Sequence, residues 1–243
     1  MLRAIGSATA YFSILPGGPV AAGAAPDADA LVALPLVGAA IGALAGCAAL
    51  GVAQFAPHPI AAATALVLLV TLSGAIHLDG FLDGCDAFFA SVPAARRREI
   101  LKDPHHGTYA AAGLLCVGVT GFAALLALPP AAYPAVLAFS AALARAAAIS
   151  NAFRYPRGGP LPAFAFALSL AAIAGGGYLV AKPAALLVPV EVALSLLLGR
   201  WIAGRLDNAF PGDAYGFIAT LLEIASLVAA TTLLAAGRPP GQV

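Results

Sequence analysis

The sequence predicts an all-α, polytopic transmembrane helical bundle of about seven spans, and three observations carry that reading. Of its 243 residues, 62% are hydrophobic and only 9% are charged, against roughly 45–50% and about 25% in soluble domains. So few charges cannot cover a water-exposed surface. Apolar windows long enough to cross a bilayer core, which needs about 20 residues, recur from residue 31 to residue 236. The basic residues are also strongly biased to one side of the alternating spans.

At the N-terminus a mildly apolar run, Ala8–Leu15, breaks at Pro16-Gly17-Gly18-Pro19. It is short and lacks a distinct charged segment before it. A short helix at the interface, or packed against the bundle, is therefore preferred over a cleaved signal peptide. Spans then read at about 31–53, 58–77, 109–128, 132–152, 162–181, 183–200 and 214–236, the fifth and sixth divided only by Lys182-Pro183. Small residues spaced as Gly38-Gly42-Gly46 favour close helix packing inside the bundle. Three polar segments, 77–108, 153–161 and 201–213, interrupt the spans on the N-terminal side. That side holds Arg3, Arg96, Arg97, Arg98, Lys102, Arg154, Arg157, Arg200 and Arg205; the other has Lys182 and Arg238. The bias orients the polar segments toward the cytoplasm of a cell whose inner membrane the chain crosses repeatedly.

Residues 1–243 read as one integral-membrane domain. Three cysteines spread singly argue against a disulfide framework or a zinc site. A net charge of +1 singles out no partner. No nucleic-acid partner is expected, membrane lipid is, and a homo-oligomer is compatible with the chain.

Chemistry concentrates in His77-Leu78-Asp79-Gly80-Phe81-Leu82-Asp83-Gly84-Cys85-Asp86, in a chain with 11 acidic residues. On a helix Asp79, Asp83 and Asp86 fall at i, i+4 and i+7 and share a face. Carboxylates so close resist joint ionisation unless a cation joins them. Oxygen donors without a cysteine set point to a hard ion, Mg²⁺ before Ca²⁺ or Mn²⁺. Downstream, Arg96 and Arg97 read as lipid anchors, while Arg98 and Lys102 stand at i, i+4 and suit a polyanionic substrate. Pro104 ends any helix there. Gly107-Thr108 allows a tight turn whose free N–H groups meet a phosphate. His105 and His106 are adjacent and point different ways, chiefly as turn or interface residues. Arg145, inside a span, needs a partner or a polar cavity; Glu223, embedded in the last span, either pairs with it or reaches a wet site from below. Arg154 and Arg157 precede a Gly-Gly turn and are suited to clamp phosphate. Asp213, before Gly216 at a helix start, is either a helix N-cap or a functional carboxylate.

In these residues the chain resembles the cobalamin synthase family, the adenosylcobinamide-GDP ribazoletransferases. The resemblance runs through HLDGFLDGCDAF (77–88), RRREI (96–100), KDPHHGTYA (102–110), the Arg145–Gly159 segment, Gly212-Asp213-Ala214-Tyr215-Gly216 and Glu223, with PLVGAAIGAL (35–44) similar to the family's first span. It departs at His105-His106 and at Asp207–Phe210. The resemblance implies transfer of the adenosylcobinamide phosphate group from adenosylcobinamide-GDP to α-ribazole or its 5′-phosphate. GMP is released and adenosylcobalamin or its phosphate is formed, with Mg²⁺ as cofactor. It further implies Asp79, Asp83, Asp86 and Asp213 as metal ligands, and Asp83 or Asp103 as general base. Lys102, Arg98 and Arg157 would stabilise phosphate charge, with Arg145, Gly107 and Thr108 also binding substrate. Two alternatives stand beside it. One is a CDP-alcohol-type phosphotransferase of phospholipid synthesis, which also uses spaced Asp residues at a membrane surface. The other is a secondary transporter, disfavoured because polar groups cluster at one face and no internal repeat is seen.

Overall fold

The structure, a computed structural model, describes residues 2–18 and 26–237; Pro19 of the early Pro-Gly break and Arg238 lie outside them. The chain forms α1 (Leu2–Phe12), α2 (Ala28–Val52), α3 (His58–Leu72), α4 (Ile76–Phe89), α5 (Ala94–Ile100), α6 (Thr108–Leu126), α7 (Tyr133–Ile149), α8 (Ala163–Val180), α9 (Leu187–Arg205) and α10 (Gly212–Ala236). Among the described residues, six helical segments are long and apolar enough to cross a membrane, and the bent pair α3–α4 makes a seventh only when counted as one broken span. The protein is a multi-pass membrane bundle.

The centre is α7, buried almost along its whole length. It packs on α2 through the Gly38, Gly42 and Gly46 stripe, where a methyl group at Gly46 would come 2.5 Å from Pro134 Cα. The stripe is an internal contact, as the spacing of small residues suggests. The boundary between the fifth and sixth spans falls at a short 3₁₀ segment, Lys182–Leu186, between α8 and α9.

The span expected at 58–77 requires correction. Helix α3 stops at Leu72, and Gly74 (φ +61°) and Ala75 (φ +56°) adopt left-handed backbone that no α-helix continues through. The chain turns 88° into α4. Fifteen residues give α3 a length of about 22 Å, short of the roughly 30 Å apolar core. Helix α4 lies across the end of the bundle, outside the spanning segments, against the first turns of α6 and α10. The glycine carries a break signal; Ala75 carries none.

The three polar segments meet at this same end. Arg98 Nη1 donates to Leu206 O (3.0 Å) and pairs with Asp207 (2.8 Å), tying 94–100 to 201–213. Tyr215 Oη donates to Tyr155 O (2.9 Å), and the Ala28 amide to Gly158 O (3.3 Å). At the opposite end His58 and Tyr133 bond side chain to side chain at 2.8 Å.

Candidate active site

Two glycines explain why the carboxylates of one segment meet those of another. Where α4 crosses α10, a methyl group at Gly80 would lie 3.0 Å from Asp213 Cα, and one at Gly216 would lie 3.1 Å from Gly80 Cα. The helices touch backbone to backbone at the Gly that follows Asp79 and at the Gly three residues after Asp213. The crossing carries Asp79 and Asp83, on consecutive turns of α4, up to Asp213 in the first turn of α10. Asp79 is open to solvent, its side chain 67% exposed, whereas that of Asp83 is only 17% exposed. Burial first, and then the neighbouring charges of Asp79 and Asp213, push the Asp83 carboxyl up to about 6.

The adjacent histidines do point different ways. His106 faces the site, its ring nitrogens 3.4 Å from Asp83 and 4.0 Å from Asp79. His105 folds back on Asp103, with Nδ1 and the backbone amide at 2.8 and 3.0 Å from one carboxylate oxygen. Those hydrogen bonds hold the Asp103 carboxyl below its usual range. The third acidic residue of the motif takes on a different contact. Asp86 accepts from the amides of Gly107 (2.5 Å) and Ala110 (3.1 Å) at the start of α6, where unpaired amides and the helix dipole attract a carboxylate. The Gly107 amide expected to be free for phosphate is therefore occupied. Gly107 itself leaves room for that carboxylate, which a methyl group would crowd at 2.9 Å. Thr108 is the first residue of α6.

The basic residues divide. Helix α5 ends at Ile100, so Lys102 does not continue the face of Arg98 on one helix; Arg98 is held at the rim by Asp207. Arg97, expected at the lipid headgroups, is instead buried and donates to Ala87 O and Phe88 O (2.9 Å each). A cation at the carbonyl end of α4 answers its helix dipole. Arg157 packs over the start of α10, its terminal nitrogens 3.1 Å from where a Gly212 methyl group would be. Arg145 is 1% exposed and pairs with Glu223 at 3.0 Å, the pairing that its place in a span demands.

A cavity of about 160 Å³ opens beside these groups, lined by Asp79, Asp213, Arg157, Arg145, His77, Tyr215 and apolar side chains that include Tyr11 and Phe12. Sequence reasoning placed His77 in the acidic motif and expected a short N-terminal helix, but gave neither a role at the site, because only the fold brings them to the cavity. His106 was weighed, and its orientation needed coordinates. Asp79, Asp83 and Asp213, the hard oxygen donors at the crossing, are the residues that could hold a metal, although among the described residues no three His, Cys, Asp or Glu side chains enclose an ion by themselves.

Fold and site define a class: a multi-pass membrane protein that gathers carboxylates, arginines and a small cavity at one end of its bundle. Within that class, the family model described as cobalamin-5-phosphate synthase matches residues 4–231, and the chain belongs to that family. Its relatives include proteins named adenosylcobinamide-GDP ribazoletransferase from Stutzerimonas stutzeri, 33% identical over 82% of this chain and 84% of that one, and from Deinococcus radiodurans, 32% identical over 78% and 71%. The protein of that name from Azorhizobium caulinodans is 40% identical over 60% of this chain, an alignment that spans 59% of the relative's length. No solved structure matches the chain.

Proposed function

We propose that this protein transfers the adenosylcobinamide phosphate group from adenosylcobinamide-GDP to α-ribazole or α-ribazole 5′-phosphate, releasing GMP, in a reaction that requires Mg²⁺. The observation that carries the reading is the backbone contact of Gly80 with Asp213 and Gly216, which brings Asp79 and Asp213 to the lining of one cavity, with Asp83 one turn along α4 from Asp79. These residues belong to the motifs that carry the family resemblance.

The reaction forms a bond between a ribose hydroxyl oxygen and the cobinamide-side phosphorus, and breaks the bond from that phosphorus to the GMP oxygen. Such transfers need positioning and charge neutralisation more than covalent help. Asp79 and Asp213 would hold the metal, with Asp83 beside them, and a Mg²⁺ bound there would supply charge neutralisation for the diphosphate. Asp83 takes the hydroxyl proton: its raised pKa, near 6, suits a general base at neutral pH. Asp103, held low and hydrogen-bonded to His105, is poorly placed for that work. Arg157, which lines the cavity, would meet the departing phosphate, and Lys102, exposed in the 101–107 loop, is the second cation assigned to phosphate charge. The polar end faces the cytoplasm of an inner membrane, in keeping with the arginines gathered there.

The test is chemical. Purified protein with Mg²⁺, adenosylcobinamide-GDP and α-ribazole 5′-phosphate should yield GMP and a corrinoid of the joined mass in equal amounts. GMP without the joined corrinoid would mean hydrolysis and defeat the transfer reading.

A further inference from the structure

Helix α1 and the floor of the cavity have no part in the chemistry above. Its walls are apolar, formed by Tyr11 and Phe12 of α1, Leu31 and Leu34 of α2, Ile149 and Tyr215. Its mouth is acidic, with Asp79 and Asp213 beside Arg157. Its floor is polar. Arg145 is 1% and His77 7% exposed, and both line the space. Arg145 commits Nη1 to Ala141 O (2.9 Å) and Glu223 (3.0 Å). Among the described residues its Nε and the Nδ1 of His77, both enclosed by the surrounding side chains, have no hydrogen-bond partner. The His77 ring is held in place by Phe12, stacked at 5.8 Å and 20°.

Charge decides what fits. Glu223 offsets the charge of Arg145, so the floor carries little net charge. A phosphate would have to pass two carboxylates to reach a guanidinium already neutralised. A flat, neutral aromatic ring instead meets aromatic and aliphatic walls along the depth of the cavity. At about 160 Å³ the cavity is below the roughly 300–1,000 Å³ typical for drug-sized ligands. It suits one fused ring system and excludes a corrin macrocycle.

We infer that this cavity seats the aromatic base of the acceptor nucleoside, its ring against the walls formed by Tyr11, Leu31, Leu34 and Ile149. The inference rests on the ribazole-transfer reading and gives each part of the reaction a place. The base lies in the cavity, the ribose hydroxyl reaches the acidic mouth, and the diphosphate stays outside with the basic residues. Helix α1 becomes a wall of the acceptor site.

Ala219, 1% exposed, lines the cavity and allows it to be filled. In Ala219→Leu the KM for α-ribazole should rise about tenfold or more, the scale on which a misfitted pocket discriminates. The KM for adenosylcobinamide-GDP should stay within about twofold. A parallel change in both constants, or in neither, in protein that elutes as wild type overturns the assignment. If Ala219→Leu does not fold, Tyr11→Ala decides. Removing that wall should raise kcat/KM for a naphthimidazole riboside relative to α-ribazole, and an unchanged ratio overturns the assignment. Failure of the underlying reaction looks different: wild-type protein then releases no GMP with either acceptor, and the inference falls with it.

Discussion

Replacing Glu223 with Gln strands the Arg145 guanidinium in the middle of the bundle. The pair is made at 3.0 Å, with side-chain exposures of 1% for Arg145 and 12% for Glu223. Arginine cannot shed its proton, and the only other bond that the guanidinium makes among the described residues is to Ala141 O. Breaking a buried pair by removing one partner costs about 3–5 kcal/mol. Placing an uncompensated arginine at the centre of a spanning helix costs about 2.5–3.5 kcal/mol on insertion scales. The two estimates meet near 3 kcal/mol, or roughly a hundredfold in the ratio of folded to unfolded protein. Equilibrium unfolding by SDS titration in mixed micelles reads that loss directly. Arg145→Met combined with Glu223→Leu removes both charges and should recover most of the stability, while losing the cavity floor. Unchanged stability in Glu223→Gln would refute the pairing as a structural necessity.

Other perturbations test the placement of the carboxylates. Gly80→Val puts a branched side chain against the Asp213 backbone, where even a methyl group lies at 3.0 Å. Overpacking of this kind costs about 1–3 kcal/mol, and transfer activity should collapse while helical circular dichroism persists; normal activity would contradict the crossing. Asp86→Ala removes the acceptor for the Gly107 and Ala110 amides. Loss of a helix cap costs about 1 kcal/mol, and hydrogen exchange at 107–110 should quicken, with unaltered exchange counting against the cap. Chelation with EDTA should stop GMP release and added Mg²⁺ restore it, Ca²⁺ restoring less because it prefers larger, looser coordination. Turnover that persists in EDTA would exclude the metal requirement.

The fold class was open to reading because membrane helices must satisfy their backbone bonds within themselves and bury apolar faces in lipid, which composition and window length report directly. The meeting of the three polar segments was equally legible from the parity of the spans. The Arg145–Glu223 contact was one of two readings that the sequence left open. What stayed hidden depended on local backbone or on long-range contact. The turn at Ala75 requires a left-handed alanine that no propensity announces. The contact between Asp86 and the α6 amides joins residues 21 and 24 apart, while helical periodicity alone grouped Asp86 with Asp79 and Asp83. Arg97 carried the composition of a lipid anchor, and only the fold brings the α4 carbonyls to it. The cavity draws on α1, α2, α4, α7 and α10, so its floor at His77 could not emerge from any one stretch.

The central claim is that the carboxylates at the α4–α10 crossing carry out ribazole transfer, and GMP release by Asp83→Asn beside wild type tests it most directly. Amide replaces carboxylate at nearly equal size, so the bundle should remain intact. With Mg²⁺, adenosylcobinamide-GDP and α-ribazole 5′-phosphate, wild-type protein should turn over and the variant should lose at least about a hundredfold in kcat, the lower range for a general base. A variant that releases GMP at the wild-type rate would contradict the claim.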